Sequence, residues 1–289
     1  MSRFSRRVLP LAFAFVLFIV LAVVFGIYDL PISISVVNQE SSFGRTLETL
    51  GVLVAPVLAT FSGIVSAVFF IRERSAKLRN FKIVCSIIAA SAGVAYTFYI
   101  YAAFSFWQFI GYAVATLLLY AVIAFLAVKS PRALLYEWMR IAVVTIFYLI
   151  TLLLLISILK LSWGRTRFRQ LESFSQFTPW YQPRGYTGHV SFPSGHTANA
   201  AALIIFVQFV PLIKSRIGKM LCYIIPYIWV IIMGISRVLV GAHYASDVLF
   251  GAAISIVLFY CVRRIVFPRI APLPPLLSDK DPKRQITTP

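Results

Sequence analysis

Acidic residues are scarce in this sequence. Only nine of its 289 residues are Asp or Glu, whereas 27 are Lys or Arg, so the formal net charge at pH 7 is +18. Charged residues make up 12% of the chain, about half of their usual share in soluble domains. Hydrophobic residues make up 60%. These proportions exclude an ordinary soluble domain and indicate a protein with several membrane spans.

Cysteines and metal-binding patterns are also few. The three cysteines, Cys85, Cys222 and Cys261, each lie within an apolar run and form no metal-binding spacing, so we expect no disulfide framework. The acidic residues do not cluster with histidine as a two-metal phosphatase requires, and no Walker-type glycine-rich loop occurs. The sequence therefore predicts neither a metal site nor a nucleotide-binding loop.

Long apolar runs predict an all-α, polytopic transmembrane helical bundle with about eight spans. A span needs about 20 apolar residues, whereas the apolar core of a cleaved signal peptide has only about 7–15. The first run is therefore predicted to be a retained span. We expect a polar loop at 29–49 and basic linkers at 72–82 and 129–140. The predicted spans are 8–28, 50–71, two within 83–128, 141–159, 197–213, 220–235 and 247–262.

The distribution of positive charge predicts the orientation of these spans. If the N-terminus is cytoplasmic, the inner segments hold 20 of the 27 Lys and Arg residues, as the positive-inside rule requires. The high net charge is then explained mostly by the orientation of the spans in the membrane, and a nucleic-acid partner is not expected. Both termini would be cytoplasmic. The remaining basic residues lie mostly in or between three polar motifs, which eight spans place together on the outer face.

The first motif contains two cations. Lys160 ends the fifth predicted span, and Arg167 follows after a short turn that contains Gly164. Arginine binds phosphate in a bidentate manner, and lysine acts as a point charge. The alternative is that both side chains only anchor a helix end among lipid headgroups.

The second motif lies where a long loop meets the sixth predicted span. Pro193 suits the first position of a helix, and Ser194 and Gly195 would then offer a hydroxyl and free backbone N–H groups to an anion. His196 is placed to act as a general acid. The alternatives are an ordinary helix cap at Ser194 and a merely solvated or hydrogen-bonded His196.

The third motif follows the seventh predicted span. It contains Ser236 and Arg237, then His243 and Asp247. Two residues four apart share a helix face, so the Asp247 carboxylate can bind one imidazole nitrogen of His243 and leave the other free to attack. A purely structural His–Asp pair is the alternative.

Together these residues resemble the type 2 phosphatidic acid phosphatase superfamily over roughly 141–262. Its signature is Lys-x6-Arg-Pro, Pro-Ser-Gly-His and Ser-Arg-x5-His-x3-Asp, and this chain departs from it at Phe168, which replaces the proline. The resemblance implies that His243 forms a phosphohistidine, that Asp247 orients it and that His196 protonates the leaving oxygen. It implies that the phosphate is held by Lys160, Arg167, Ser194, Gly195 and Arg237, with no metal and no cofactor.

The resemblance also implies a domain organisation and a function. We expect an N-terminal transmembrane region at 1–140, a phosphatase core at 141–267 and a disordered cytoplasmic tail at 268–289. The expected function is removal of a terminal phosphate from a lipid phosphate or diphosphate, of the phosphatidic acid, phosphatidylglycerol phosphate or polyprenyl diphosphate type. A bacterial cell membrane is the expected location. The sequence carries no signal for an oligomeric state.

Two other functions stay open at this point. The same phosphohistidine would serve a lipid phosphotransferase if a hydroxyl group replaced water as the acceptor. Five predicted spans precede the first motif, whereas typical bacterial members of the superfamily that this chain resembles have three. This excess of spans would also suit a non-catalytic lipid transporter or scaffold. In addition, the loop at 165–189 is rich in arginine and aromatic residues, including Arg165, Arg169 and Trp180. It is either a lid that recognises a lipid headgroup or a loop anchored in the membrane interface.

Overall fold

The computed structural model describes residues 3–73 and 77–269. Within these residues every regular element is a helix and no β-strand is present. Eight helical segments among them are long and apolar enough to cross a membrane. The predicted all-α class with eight spans is therefore confirmed. The predicted disordered tail lies outside the described residues from position 270 onward.

Nine α-helices follow one another along the described chain. Short 3-10 helices occupy Gly51–Leu53, Phe168–Gln170, Phe174–Gln176, Ala202–Leu212 and Phe267–Arg269. The α-helices are α1 (Arg3–Val36), α2 (Ser42–Leu50), α3 (Val54–Arg72), α4 (Arg79–Tyr101), α5 (Phe106–Lys129), α6 (Arg132–Trp163), α7 (Gly195–Ala201), α8 (Arg216–Leu239) and α9 (Ala245–Val266).

The predicted polar loop at 29–49 is wrong. Helix α1 continues to Val36, and after a break at 37–41 the chain forms α2. The residues after Asp29 are mostly apolar and continue the helical run, while Asp29 itself is fully buried. Ser41 caps α2, because its hydroxyl accepts a hydrogen bond from the Gly44 N–H at 3.2 Å.

The fifth and sixth predicted spans also differ from the structure. Helix α6 begins at Arg132, within the predicted basic linker, and the charge of Arg132 is paired with Glu73. The sixth span begins as the short helix α7 and continues as a 3-10 helix at Ala202–Leu212. Pro193 does not occupy the first helical position, because Ser194 caps α7 and the proline precedes this cap.

The chain forms two compact units, and one of them consists of residues 53–151, 205–214 and the described part of 258–289. Helices α4 and α5 of this unit are joined by polar pairs. The hydroxyls of Tyr101 and Thr116 lie 2.6 Å apart, and those of Thr97 and Tyr120 lie 3.3 Å apart. Such pairs satisfy polar side chains between apolar helices. An apolar core lies beside them, formed by Val65, Phe69, Phe70, Ala127, Leu135, Tyr136, Met139 and Ala142.

The other unit consists of the described part of 1–52 together with Leu152–Ile204 and Ser215–Val257. It contains α1, α2, α7 and α8, together with the C-terminal part of α6 and the N-terminal part of α9. Helix α2 packs against α8, and Gly44 lies so close to Val240 that no larger side chain fits there. All three sequence motifs fall within this unit.

Candidate functional site

The predicted site residues are brought together at helix ends of a single unit. Two come from the end of α6 and the loop after it, three from the start of α7, and three from the end of α8 and the start of α9. These eight residues are Lys160, Arg167, Ser194, Gly195, His196, Arg237, His243 and Asp247.

Backbone contacts fix the second motif against the third. The Ser194 N–H donates to the backbone carbonyl of Asp247 at 2.9 Å, and the Ser255 hydroxyl donates to the Ala198 carbonyl at 2.7 Å. Gly251 on α9 lies directly against the Ser194 carbonyl, and a β-carbon at this position would overlap it. The two helices therefore approach at backbone distance, which only glycine permits here.

A tight turn after α8 places His243 beside Arg237. The N–H groups of Ala242 and His243 both donate to the Arg237 carbonyl, at 3.1 and 3.3 Å. Gly241 has a φ of +65°, a conformation that side-chain-bearing residues rarely adopt. The carbonyl of Gly241 accepts from the Arg169 N–H at 3.0 Å, which joins this turn to the loop that carries Arg167.

The two predicted catalytic histidines are neighbours. The ring centroids of His196 and His243 lie 6.5 Å apart, which is close enough for both rings to contact one phosphate group. The Nε2 atom of His196 lies 3.0 Å from the backbone oxygen of Glu48. A carbonyl oxygen only accepts hydrogen bonds, so Nε2 of His196 carries a proton and Nδ1 is the nitrogen left for a further proton transfer.

The carboxylate of Asp247 is bound by several donors. Its Oδ2 accepts from the Ser191 hydroxyl at 2.6 Å and from the Tyr244 N–H at 3.0 Å, and its Oδ1 accepts from Arg165 at 2.5 Å. The Nδ1 atom of His243 lies 3.6 Å from Oδ2, beyond hydrogen-bond distance, and is buried without a partner. The predicted hydrogen bond between His243 and Asp247 is therefore not formed in this structure, although the two groups are adjacent.

Burial determines the charge state of His243. Its side chain is 2% exposed, and desolvation lowers the pKa of its imidazole below the usual range, while the neighbouring Asp247 carboxylate opposes that shift only in part. His243 is therefore neutral at pH 7. A neutral imidazole has a free lone pair, which is the form that attacks phosphorus.

Two charged residues that sequence reasoning did not assign to the site complete this network. Arg165 and Asp29 are both buried, and the Arg165 guanidinium bridges Asp29 at 2.9 Å and Asp247 at 2.5 Å. Burial alone would lower the pKa of Arg165, but the two carboxylates raise it above its usual value. The sequence did contain a signal for this pair. Asp29 is followed by apolar residues, and an acidic residue inside a continuing apolar helix requires a buried partner.

The predicted phosphate-binding cations have unused hydrogen-bonding capacity. Arg237 is fully buried, and its Nη1 has no hydrogen-bond partner, while its Nη2 donates to the Gly44 carbonyl. The Nε of Arg167 is likewise buried without a partner. The ammonium group of Lys160 lies against Gly195, 3.3 Å from where a β-carbon would be. Unpaired buried donors of this kind suit an anionic ligand.

The loop at 165–189, for which a lid and an interface anchor were both left open, uses two of its arginines in contacts within the protein. Arg165 is buried in the site, and Arg169 forms an ion pair with Glu48 at 2.9 Å. The aromatic residues of this loop differ in their exposure and contacts. Trp180 donates to the Ala22 carbonyl of α1 at 2.9 Å, whereas Tyr186 is 80% exposed.

No group of three or more His, Cys, Asp or Glu side chains suited to a metal ion occurs in the part of the chain that the structure describes. The site has a neutral, buried imidazole, a second imidazole within reach of the same ligand, and a set of cations with unused donors.

The sequence of this chain is similar to a protein family and to several known proteins. Residues 141–271 match the model of the PAP2 superfamily. The chain is 33% identical over 97 residues to phosphatidylglycerophosphatase B of Bacillus subtilis (strain 168), an alignment covering 32% of this chain and 47% of the relative. No solved structure matches the chain.

Two further relatives are lipid A 1-phosphatases of Rhizobium. The chain is 35% identical over 128 residues to the protein of Rhizobium johnstonii, covering 44% of this chain and 48% of the relative. It is 39% identical over 104 residues to the protein of Rhizobium etli, covering 35% and 39%. The chain thus spans less than half of the length of these relatives.

Proposed function

We propose that this multi-pass membrane protein is a phosphatase that removes a terminal phosphate from a lipid, and that residues 141–271, which match the model of the PAP2 superfamily, carry the reaction. The observation that carries the proposal is the geometry of one unit. There a neutral, buried His243 lies next to His196 and to the cations Lys160, Arg167 and Arg237.

The reaction follows from the positions of these groups. The lone pair of His243 Nε2 attacks phosphorus and the bond to the leaving oxygen breaks. For this step His196 is an imidazolium, with its second proton on Nδ1, and it gives that proton to the leaving alcohol. Water then attacks the phosphohistidine and gives a proton to Nδ1 of His196, and the bond between phosphorus and Nε2 of His243 breaks. This step frees the neutral imidazole of His243, restores the imidazolium of His196 and releases inorganic phosphate. Lys160, Arg167, Arg237 and the N–H groups at the α7 N-terminus stabilise the charge on the phosphoryl oxygens.

Asp247 has a role in the first step. When His243 attacks through Nε2, its ring becomes cationic and keeps a proton on Nδ1, and the Asp247 carboxylate 3.6 Å away stabilises that charge. A shift of about 0.5 Å would convert this contact into a hydrogen bond of ordinary length. We expect that closure to accompany phosphate binding.

We propose that the site faces the outer side of the membrane and that both termini are cytoplasmic. The support is the count of Lys and Arg residues, 20 of 27 of which fall on the inner side when eight spans begin inside. The relatives named as a phosphatidylglycerophosphatase and as lipid A phosphatases support a lipid phosphate substrate.

Phosphate release by the purified protein in detergent tests this function. Phosphatidic acid, phosphatidylglycerol phosphate and a polyprenyl diphosphate would be compared in excess chelator, beside His243→Ala and the matched control His189→Ala. His189 is the one histidine besides His196 and His243, and it lies in the loop just before the second motif. We expect chelator-resistant release that is lost in His243→Ala and retained in His189→Ala.

Two outcomes would contradict parts of the proposal. Full activity in His243→Ala would refute a nucleophilic role for this residue. No phosphate release from any lipid, together with a phosphorylated lipid or sugar acceptor, would replace hydrolysis with phosphotransfer.

A further inference from the structure

Glu48 on α2 contacts the site although it lies outside the segment that matches the superfamily. Its carboxylate pairs with Arg169 at 2.9 Å and lies 3.8 Å from the Nη1 atom of Arg237, an atom that has no hydrogen-bond partner. Its backbone carbonyl contacts the Nε2 of His196 at 3.0 Å. One residue therefore contacts a predicted phosphate-binding cation and the predicted general acid.

The segment around Glu48 is anchored to two helices that carry the motifs. The Gly44 carbonyl accepts a hydrogen bond from Arg237 on α8, and the Val52 carbonyl accepts one from Asn199 on α7 at 2.8 Å. These contacts use the backbone and do not depend on the Glu48 side chain. The carboxylate of Glu48 therefore has a role that is separable from the position of its segment.

That separable role is electrostatic. Lys160, Arg167, Arg169 and Arg237 bring four positive charges to the site, and Glu48 reduces their sum to three. The buried Asp29–Arg165–Asp247 group adds one net negative charge, because one cation lies between two carboxylates. With both histidines neutral in the substrate-free site, the formal charge of the site is +2.

A phosphate monoester carries about −1.5 to −2 at pH 7, so a site of +2 balances it. A site of +3 would bind the more highly charged diphosphate better, and it would hold the product, inorganic phosphate, more tightly after reaction. We propose that Glu48 sets the charge of the phosphate site, so that it favours a phosphate monoester over a diphosphate and permits release of inorganic phosphate. This inference rests on the proposed function.

Glu48→Gln tests this inference because glutamine keeps the size and the backbone carbonyl and removes the charge. We expect the dissociation constant for inorganic phosphate to fall about tenfold, and that for inorganic pyrophosphate to fall further because its charge is larger. The ratio of kcat/KM for a lipid diphosphate to kcat/KM for a lipid monophosphate should rise in parallel.

The matched control is Glu40→Gln, which removes the same charge just before α2. Glu40 pairs with Arg45, and their side chains are 83% and 58% exposed, so the control should leave both dissociation constants unchanged. Binding of the two inorganic anions would be measured by calorimetry on the full-length protein in detergent. This readout does not require turnover.

Arg169→Gln supplies a second test with the opposite sign. It removes a cation from the same ion pair, so phosphate should bind more weakly, whereas Glu48→Gln should make it bind more tightly. If Glu48 were only structural, both variants would break the same pair and change the affinity in the same direction. Should Glu48→Gln not fold, unchanged phosphate binding by Arg169→Gln would overturn the inference.

The outcomes separate this inference from the proposed function. If the wild-type protein binds no phosphate and releases none from any lipid, both are refuted. If the wild type binds and hydrolyses but Glu48→Gln has unchanged or weaker affinity for phosphate, only the assignment of Glu48 is refuted.

Discussion

Asp29, Arg165 and Asp247 form a buried charged group whose contribution to stability can be tested. One substitution, Asp29→Asn, should destabilise the wild-type protein but stabilise a variant that lacks the charge of Arg165. The Arg165 guanidinium lies between the two carboxylates, at 2.9 and 2.5 Å, and all three side chains are at most 1% exposed. The perturbation is Arg165→Met, which keeps a long side chain and removes the charge.

The expected loss of stability is large. Removing one partner of a buried ion pair typically costs about 3–5 kcal/mol in the free energy of unfolding, because a charge is left uncompensated in a low-dielectric environment. Arg165→Met leaves two such carboxylates, so we expect about 5 kcal/mol, the upper end of that range. Activity should also be lost, because the Asp247 carboxylate loses the cation that holds it beside His243.

The decisive step is to add Asp29→Asn. In the wild-type background this change should destabilise the protein by about 3 kcal/mol, since it removes one of the two partners of Arg165. In the Arg165→Met background it should instead restore about 2 kcal/mol, because it removes one of the two orphaned carboxylates. The asparagine oxygen can still accept the hydrogen bond from the Ser246 N–H that Asp29 accepts at 2.9 Å.

The assay is the unfolding of the four proteins in one detergent, followed by tryptophan fluorescence and analysed as a double-mutant cycle. Arg45→Met is the control, because Arg45 pairs with Glu40 at an exposed site and such pairs contribute about 0–1 kcal/mol. A double variant that is less stable than Arg165→Met would refute the reasoning, since the charge of Asp29 would then not depend on Arg165.

Three further predictions concern packing, pH and hydrogen bonding. Gly251→Ala should reduce activity at least tenfold, because its β-carbon would overlap the carbonyl of Ser194, the residue that caps α7. Gly111→Ala is the control, since nothing lies within 4 Å of a β-carbon there. Equal losses of activity in the two variants would contradict the argument. Burial lowers the pKa of His243, so kcat/KM should fall on the acid side of its pH profile with an apparent pKa below about 6.5, after correction for ionisation of the substrate. An apparent pKa at or above this value would show that His243 is not the titrating nucleophile. Ser191→Ala should lower the free energy of unfolding by about 2 kcal/mol, because it deprives the buried Asp247 of a 2.6 Å hydrogen bond, and a thermal midpoint equal to that of the wild type would refute this.

The features that could be predicted from the sequence are those encoded in local patterns. Runs of apolar residues predicted eight spans, and eight helices of suitable length and composition are present among the described residues. The spacings from Lys160 to Arg167 and from His243 to Asp247 predicted which residues belong together, and the structure brings them into one unit. Both kinds of signal lie within short segments of the chain.

The features that could not be predicted depend on contacts between distant segments. Asp29 was assigned to a loop because an isolated carboxylate is costly inside a span, and its partner Arg165 lies 136 residues away along the chain. His243 and Asp247 are adjacent as predicted, but the separation of 3.6 Å between Nδ1 and Oδ2 was not predicted. A spacing of four residues indicates a shared face, but it does not reveal that Ser191 and Arg165 already bind the carboxylate.

The physical unit that carries the site is larger than the segment that carries the motifs. Asp29 and Glu48 lie outside residues 141–271, yet they provide the carboxylates that pair with Arg165 and with Arg169. Burying a charge without a partner is costly, and Asp29 therefore stabilises the buried Arg165 together with Asp247, which lies in the motif-bearing segment. Two residues from the N-terminal part of the chain, Asp29 and Glu48, therefore contribute to the charge balance of the candidate site although they lie outside the segment that carries the motifs.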